Sequence, residues 1–234
     1  MAVSRSGRAR QDAQRSAEMS QLDSRLALCA SFVREGKRLA DIGTDHAYLP
    51  VWLCRAGVTP CAVAADINPD PLRRGTETVA NAGLSDRIET RLSDGLKNIS
   101  SEEAEDIVIA GMGGELIARI LDECPYSRDK SKRFILQPMT KSEVLVRALD
   151  ENGFSILRQD CCVAADKCYT VLNVAYTGET AKHDALYPYL GELRPKENAA
   201  HLRFVEGHIS RLQKQAKGDA RFAALAEELK KRCE

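Results

Sequence analysis

No apolar stretch in the chain approaches the roughly 18 consecutive residues that a membrane-spanning helix needs. The opening residues lack the apolar centre of a secretory signal. Together these absences predict a cytoplasmic protein with no membrane partner. The eight cysteines form no Cys-x-x-Cys pair and show no zinc-type spacing, which predicts reduced thiols and no metal site. No internal repeat or low-complexity tract is present, and no segment points to an obligate protein partner.

Net charge is also missing, since 34 Lys and Arg balance 34 Asp and Glu. The balance is uneven along the chain. Residues 1–40 carry eight basic and four acidic groups, 41–110 six and twelve, 111–190 ten and eleven, and 191–234 ten and seven. Basic ends around an acidic middle suit a protein whose ends meet phosphates while its centre does chemistry.

What is there is an alternation of apolar runs and helical patterns. Residues 1–20 hold Arg5, Arg8, Arg10 and Arg15 and little to bury, and read as a flexible basic arm. Leu22, Leu26, Cys29, Phe32 and Val33 keep helical spacing up to Gly36. Five strands then alternate with helices: LADIG, CAVAADI, IETRLSD, DIVIAG and RFILQP. The helix after the first strand is expected to be interrupted by Pro50. Such alternation predicts a largely parallel sheet covered on both faces. SILRQDCCV and CYTVLNVAY, joined by AADK, read as a β-hairpin at one sheet edge. Leu202, Val205, Ile209 and Leu212, then Phe222, Leu225 and Leu229, predict two packed antiparallel helices. His201 and His208, one heptad apart, are expected on the solvated flank without a role. The expected domains are the arm at 1–20, an α/β domain at 21–178 and a linker with a helical hairpin at 179–234.

In an open α/β sheet, ligands bind beyond the carboxyl ends of the strands. Three successive strand ends here carry acids: Asp41, Asp66 and Asp94. Gly43 permits a sharp turn after the first strand, and Asp66 lies where a ribose-binding acid is expected. Asp94 can accept from an adenine amine. A dinucleotide site wants G-x-G-x-x-G, yet Asp45 occupies the second glycine position. That carboxylate would repel a pyrophosphate and tolerate a ligand bearing a sulfonium and an ammonium, such as S-adenosylmethionine (SAM). Asp41 and Asp45 are then expected toward its methionine end, with Asp66 and Asp94 toward its adenosine end.

The blocks DIGTDHAYLP (41–50), AADINPDPL (64–72), RLSDGL (91–96), IAGMGGELI (109–117), ILQPM (135–139) and ENGF (151–154) resemble the TrmK family of bacterial tRNA adenine-22 N1-methyltransferases, in order and spacing, over residues 22 to about 176. The resemblance implies a Rossmann-like class I SAM-dependent methyltransferase fold with a C-terminal helical, coiled-coil-like hairpin domain, and tRNA as the partner. It carries a SAM pocket onto Asp41, Gly43, His46, Asp66, Ile67, Asn68, Asp94 and Gly95. Gly111, Met112, Gly113 and Gly114 would form the face where target base and methyl group meet. Residues 1–20 and the Cys161–Cys162 hairpin fall outside these blocks.

The loop after strand four narrows the chemistry. It has no Asn/Asp-Pro-Pro-aromatic motif to grip an exocyclic amine, and the nearest following cysteine, Cys124, lies a full helix away. A ring nitrogen such as adenine N1 already has an in-plane lone pair, so placement ~3–3.5 Å from the methyl supplies most of the acceleration. Met112 is expected as an apolar wall beside Gly113, and Asp45 as a carboxylate stabilising the methylated base. Tyr48 is a candidate stacking residue. Gln137, Pro138 and Met139 are expected to frame the target base, and Arg5, Arg8, Arg10 and Arg15 on the arm with Arg194, Lys196, Arg203, Arg211, Lys214 and Lys217 on the C-terminal helices to meet RNA phosphates. Three rival readings accompany this one: an NAD-linked oxidoreductase, a SAM-dependent methyltransferase acting on another RNA or a small molecule, and a non-catalytic SAM- or RNA-binding protein.

Overall fold

Short apolar runs that are buried on both faces become parallel strands when helices connect them. The computed structural model describes residues 22–180 and 183–234, so the arm expected at 1–20 lies outside the described residues. Strands β1 (Leu39–Ile42), β2 (Ala62–Asp66), β3 (Ile88–Leu92), β4 (Asp106–Gly113) and β5 (Arg133–Thr140) run parallel. Two further strands, β6 (Phe154–Ala164) and β7 (Lys167–Tyr176), form the expected hairpin, and β7 pairs antiparallel with β5. The seven-stranded order is β3-β2-β1-β4-β5-β7-β6. Every residue of β1 and β2 is buried.

Helices α1 (Ser24–Ala30), α2 (Tyr48–Arg55) and α3 (Pro69–Asn81) precede β1, β2 and β3. Their Cys29, Leu49, Leu53 and Val79 share a core with Leu39, Ala64 and Val108 of the sheet. Helices α4 (Gly114–Glu123) and α5 (Ser142–Glu151) follow β4 and β5. Ile117, Leu121, Leu145 and Leu149 from these helices pack with Ile107, Phe134 and Leu136 in a second cluster. Between β6 and β7, Ala165 and Asp166 have φ of 46° and 61°, the two-residue turn that matches strand twist.

Two local expectations are corrected. Helix α1 stops at Ala30 rather than running to Gly36, although Phe32 and Val33 are buried. The Asp106 carboxylate takes both the main-chain N–H of Arg34 and its guanidinium, each at 2.7 Å, so Arg34 cannot add to the helical ladder. Pro50 does not interrupt α2. It sits in the first turn, where its missing N–H has no intrahelical partner to lose.

The C-terminal part comprises α6 (Tyr187–Leu190), α7 (Ala199–Gln215) and α8 (Arg221–Cys233). Val205, Ile209 and Leu212 meet Ala226 and Leu229 in a third cluster that also holds Cys161 and Tyr189. His201 and His208 are not on a solvated flank: both are buried. Helix α7 packs on the β6–β7 hairpin as well as on α8, so one side of its heptad faces the sheet. His201 Nε2 lies 2.9 Å from Asp160. His208 contacts Ser142 at 3.3 Å and accepts from Arg211 at 2.9 Å; burial, then the Arg211 charge, lowers its pKa to about 3. All eight cysteines are free thiols. Among the described residues, no helix is long and apolar enough to cross a membrane.

Candidate active site

Strand order reverses between β1 and β4, which opens a crevice past their carboxyl ends. A cleft of about 520 Å³ occupies this place, lined by Asp41, Gly43, Thr44, Asp45, His46 and Tyr48 on one side and Gly111, Met112 and Met139 on the other. Asp23 and Arg25 at the start of α1 close its rim.

Asp41 lies within β1, hydrogen-bonded into the sheet between β2 and β4. Burial first, with the nearby Asp66 charge adding, raises its pKa from 3.8 to about 6 against an opposing hydrogen bond from Thr44. A buried carboxylate without a cation is poorly solvated, so the cleft floor is built to accept positive charge. Asp66 ends β2. Its Oδ1 accepts from the Asn68 main chain at 2.7 Å and the Asn68 side chain at 3.3 Å, which leaves Oδ2 for a ligand. Asp94 follows β3 and pairs with Lys97 at 2.6 Å, an interaction that lowers its pKa. Ile67 and Leu92 stand exposed beside these carboxylates at 58% and 52%, as do Tyr48 and Met139 at the cleft, at 52% and 38%. Large apolar side chains exposed together around one crevice mark a ligand surface.

The sequence-predicted residues do not all converge. Gly43 turns under Met112, whose side chain covers it. Asp66, Ile67, Asn68, Asp94 and Gly95 lie on the adjoining ends of β2 and β3. Asp45 borders the cleft but is not a free carboxylate: Arg74 of α3 pairs with it at 2.7 Å. His46 lies 3.5 Å from Asp45 and stacks on Tyr48 with ring centroids 5.1 Å apart. Gly113 is the N-cap of α4 and lies outside the cleft lining. Gln137 is completely buried and its amide is used internally, so it does not frame a base directly.

A second groove of about 300 Å³ adjoins the cleft through Met139 and is lined by Pro138, Lys141, Lys167, Arg203 and Arg211. Lys214 does not line it and stands exposed on α7. Sequence reasoning missed Asp23, Arg25, Leu92, Lys141 and Lys167. The available signal for the first two was an aspartate directly before a helical apolar pattern, an N-cap signature that puts Arg25 in the first turn. The groove lysines come from a strand-to-helix junction and a hairpin tip, which only the tertiary fold brings together.

A methyltransferase-domain family profile matches residues 22–172. The Bacillus subtilis tRNA (adenine(22)-N(1))-methyltransferase is 34% identical over 166 residues, covering 71% of this chain and 68% of its own. A Streptococcus pneumoniae protein, provisionally assigned as a tRNA (m1A22) methyltransferase and solved with S-adenosyl-L-methionine, superposes with a TM-score of 0.83 at 31% identity; the match covers 91% of this chain and 100% of that one. TrmK of Mycoplasma capricolum, solved with S-adenosylhomocysteine, gives 0.75 at 25% identity, covering 90% and 96%. With relatives of this kind matched in sequence and in fold over most of the chain, it belongs to the TrmK family of tRNA (adenine-22-N1)-methyltransferases.

Proposed function

We propose that this chain transfers a methyl group from SAM to N1 of an adenine in tRNA, the position corresponding to adenine 22 of the Bacillus subtilis enzyme's substrate. When bound, SAM supplies an electrophilic methyl on a sulfonium. The observation that carries the reading is the pairing of an acid-topped strand row with a β4 loop, Gly111–Met112, that offers backbone and a thioether but no acid, base or nucleophile. Cys124, the nearest following thiol, is buried at the far end of α4. Such a loop can seat a planar base edge-on and leaves a ring nitrogen to attack unaided.

Asp41 and Asp45 border the methionine end, and Asp66 with Asn68 holds the ribose. Asp94 and Gly95 face the adenine, between Ile67 and Leu92. The His46–Tyr48 stack forms one wall of the target slot and Met139 the other. Asp45 keeps a part in offsetting charge on the methylated base, shared with Arg74. Adenine N1 is hidden in a paired helix, so the nucleotide enters unpaired or extruded. A tRNA substrate supports a cytoplasmic location. Digesting tRNA after reaction with the purified protein and SAM, then resolving nucleosides by mass spectrometry, tests the reading. It predicts N1-methyladenosine; N6-methyladenosine or a methylated guanine would overturn it.

Asp41 gives a pH signature. Its carboxyl is half protonated near pH 6 in the free protein, and the cationic ligand prefers the carboxylate. SAM affinity therefore rises as pH increases through about 6 and levels off above it, and Asp41→Asn removes the step. For stability the sign is opposite. A carboxyl whose folded pKa is raised stabilises the fold most below its unfolded pKa of 3.8, and that contribution is lost as pH rises through about 6. Calorimetric titration at several pH values measures the first effect.

The basic groove fits the RNA backbone next to the extruded base. Lys141 is paired with Glu115 at 2.6 Å and Arg211 lies 3.9 Å from Glu143, whereas Lys167 and Arg203 make no ion pair among the described residues. Lys214, Arg194, Lys196 and Lys217 extend the basic surface along the C-terminal part. Reversing Lys167 and Arg203 to Glu weakens tRNA binding and lowers the salt slope by about one for each phosphate no longer neutralised. Filter binding across a salt series reads both; an unchanged slope removes the groove from the interface.

A further inference from the structure

Arg25 has no place in the chemistry so far, yet it is wired to the loop that faces the target base. Asp23 caps α1 by accepting the main-chain N–H groups of Arg25 and Leu26, each at 2.9 Å. The same carboxylate grips the Arg25 guanidinium at 2.7 Å. Held this way, Arg25 Nη1 donates to Gln137 Oε1 at 3.3 Å and touches Met139 Sδ at 3.3 Å. Gln137 Oε1 also accepts the Gly111 N–H at 3.0 Å, while its Nε2 donates to the Pro138 carbonyl at 3.0 Å.

Gly111 is the extra residue of a bulge. The β4–β5 register jumps from Ala110–Gln137 to Met112–Pro138 and skips it, and its φ of +79° lies in the left-handed region. A bulge costs the extra residue its ladder partner, and here the buried Gln137 side chain supplies the missing acceptor. A carboxamide is nearly symmetric in shape, but its two ends are opposite in hydrogen-bonding character. Turned over, it would set an N–H against the Gly111 N–H. Arg25 can only donate, so it selects the orientation in which oxygen faces Gly111.

We infer that Arg25 is a positioning residue. Through the Gln137 amide it fixes the Gly111–Met112 turn and so sets the distance between target base and methyl group. This rests on the proposed methyl transfer at the cleft, but its first readout needs no substrate. In the free protein, Arg25→Ala raises the hydrogen-exchange rate of the Gly111 amide at least tenfold, with Arg25→Lys in between. In turnover, Arg25→Ala lowers kcat about 10- to 100-fold while the KM for tRNA and the Kd for SAM stay within threefold, and added methylguanidine restores part of the rate. Arg25→Ala combined with Gln137→Ala is no slower than Gln137→Ala alone, because both act on one link. Thermal unfolding of Arg25→Lys separates a folding defect from these effects.

Unchanged Gly111 exchange in Arg25→Ala overturns the relay. So does a double variant whose loss is the product of the single losses. A raised tRNA KM at constant kcat would likewise refute it and make Arg25 a direct RNA contact. If the wild-type protein methylates no tRNA, the functional reading fails while the exchange result still decides the relay.

Discussion

Replacing Asp66 with alanine lowers SAM affinity about a hundredfold or more while leaving the protein folded. Asp66 is 9% exposed, and its Oδ1 is already committed to Asn68, so its remaining oxygen is fixed in direction before a ligand arrives. Hydrogen bonds to a charged group contribute roughly 1.5–3 kcal/mol each. Losing a pair to the ribose hydroxyls removes about 3–6 kcal/mol, or roughly 10²- to 10⁴-fold in Kd. The alanine also strands the Asn68 N–H, which loosens the Ile67–Asn68 turn at the adenine. Asp66→Asn keeps the shape and loses the charge, so its defect is smaller. Titration calorimetry with SAM gives the numbers, and an Asp66→Ala protein that binds within threefold of wild type would refute the ribose assignment.

Gly114→Ala is expected to damage the fold more than any other single methyl group added near the cleft. A Cβ at Gly114 would run into the Lys141 carbonyl, with the carbonyl carbon at 2.9 Å and Leu145 Cβ at 3.2 Å. The obstacle is main chain at the β5–α5 junction, where Lys141 itself has a φ of 54°, so neither side can yield by changing a rotamer. Overpacking of this kind costs about 3 kcal/mol or more. For a chain of this size that is a fall of roughly 6–12 °C in the thermal midpoint. Scanning calorimetry reads the shift, and a change below ~2 °C would mean that the two turns are not packed as described. Because Gly114 begins α4 one residue beyond the Gly111–Met112 loop, activity falls along with stability.

The parts of the fold that could be read from the sequence are those set by local pattern. LADIG, CAVAADI and DIVIAG had to be buried strands because their apolar runs are continuous, and the acids closing LADIG, CAVAADI and IETRLSD had to gather at the carboxyl ends of the sheet. Asp41, Asp66 and Asp94 are accordingly found at adjoining strands. Residues whose environment is decided by distant partners were harder to read. Phe32 and Val33 keep helical spacing, yet Asp106, 72 positions away from Arg34, ends the helix first. His201 and His208 occupy flank positions of a two-helix pattern and become buried only because the β6–β7 hairpin supplies a third surface. Gln137 looked like a polar residue aimed at the base; a bulge at Gly111 turned its amide inward. Arg25 gave no periodic signal at all, since its importance lies in a hydrogen bond spanning 112 positions.

The central claim is that the carboxylates along β1, β2 and β3 hold the methyl donor at the switch point, with its methyl directed at Gly111 and Met112. A crystal structure with bound S-adenosylmethionine tests this most directly. The account predicts the ribose hydroxyls on Asp66, the ammonium beside Asp41, the adenine between Ile67 and Leu92, and the sulfonium methyl facing the Gly111–Met112 turn. Density for the donor in the Lys167–Arg203 groove, or a methyl pointing away from that turn, would contradict it.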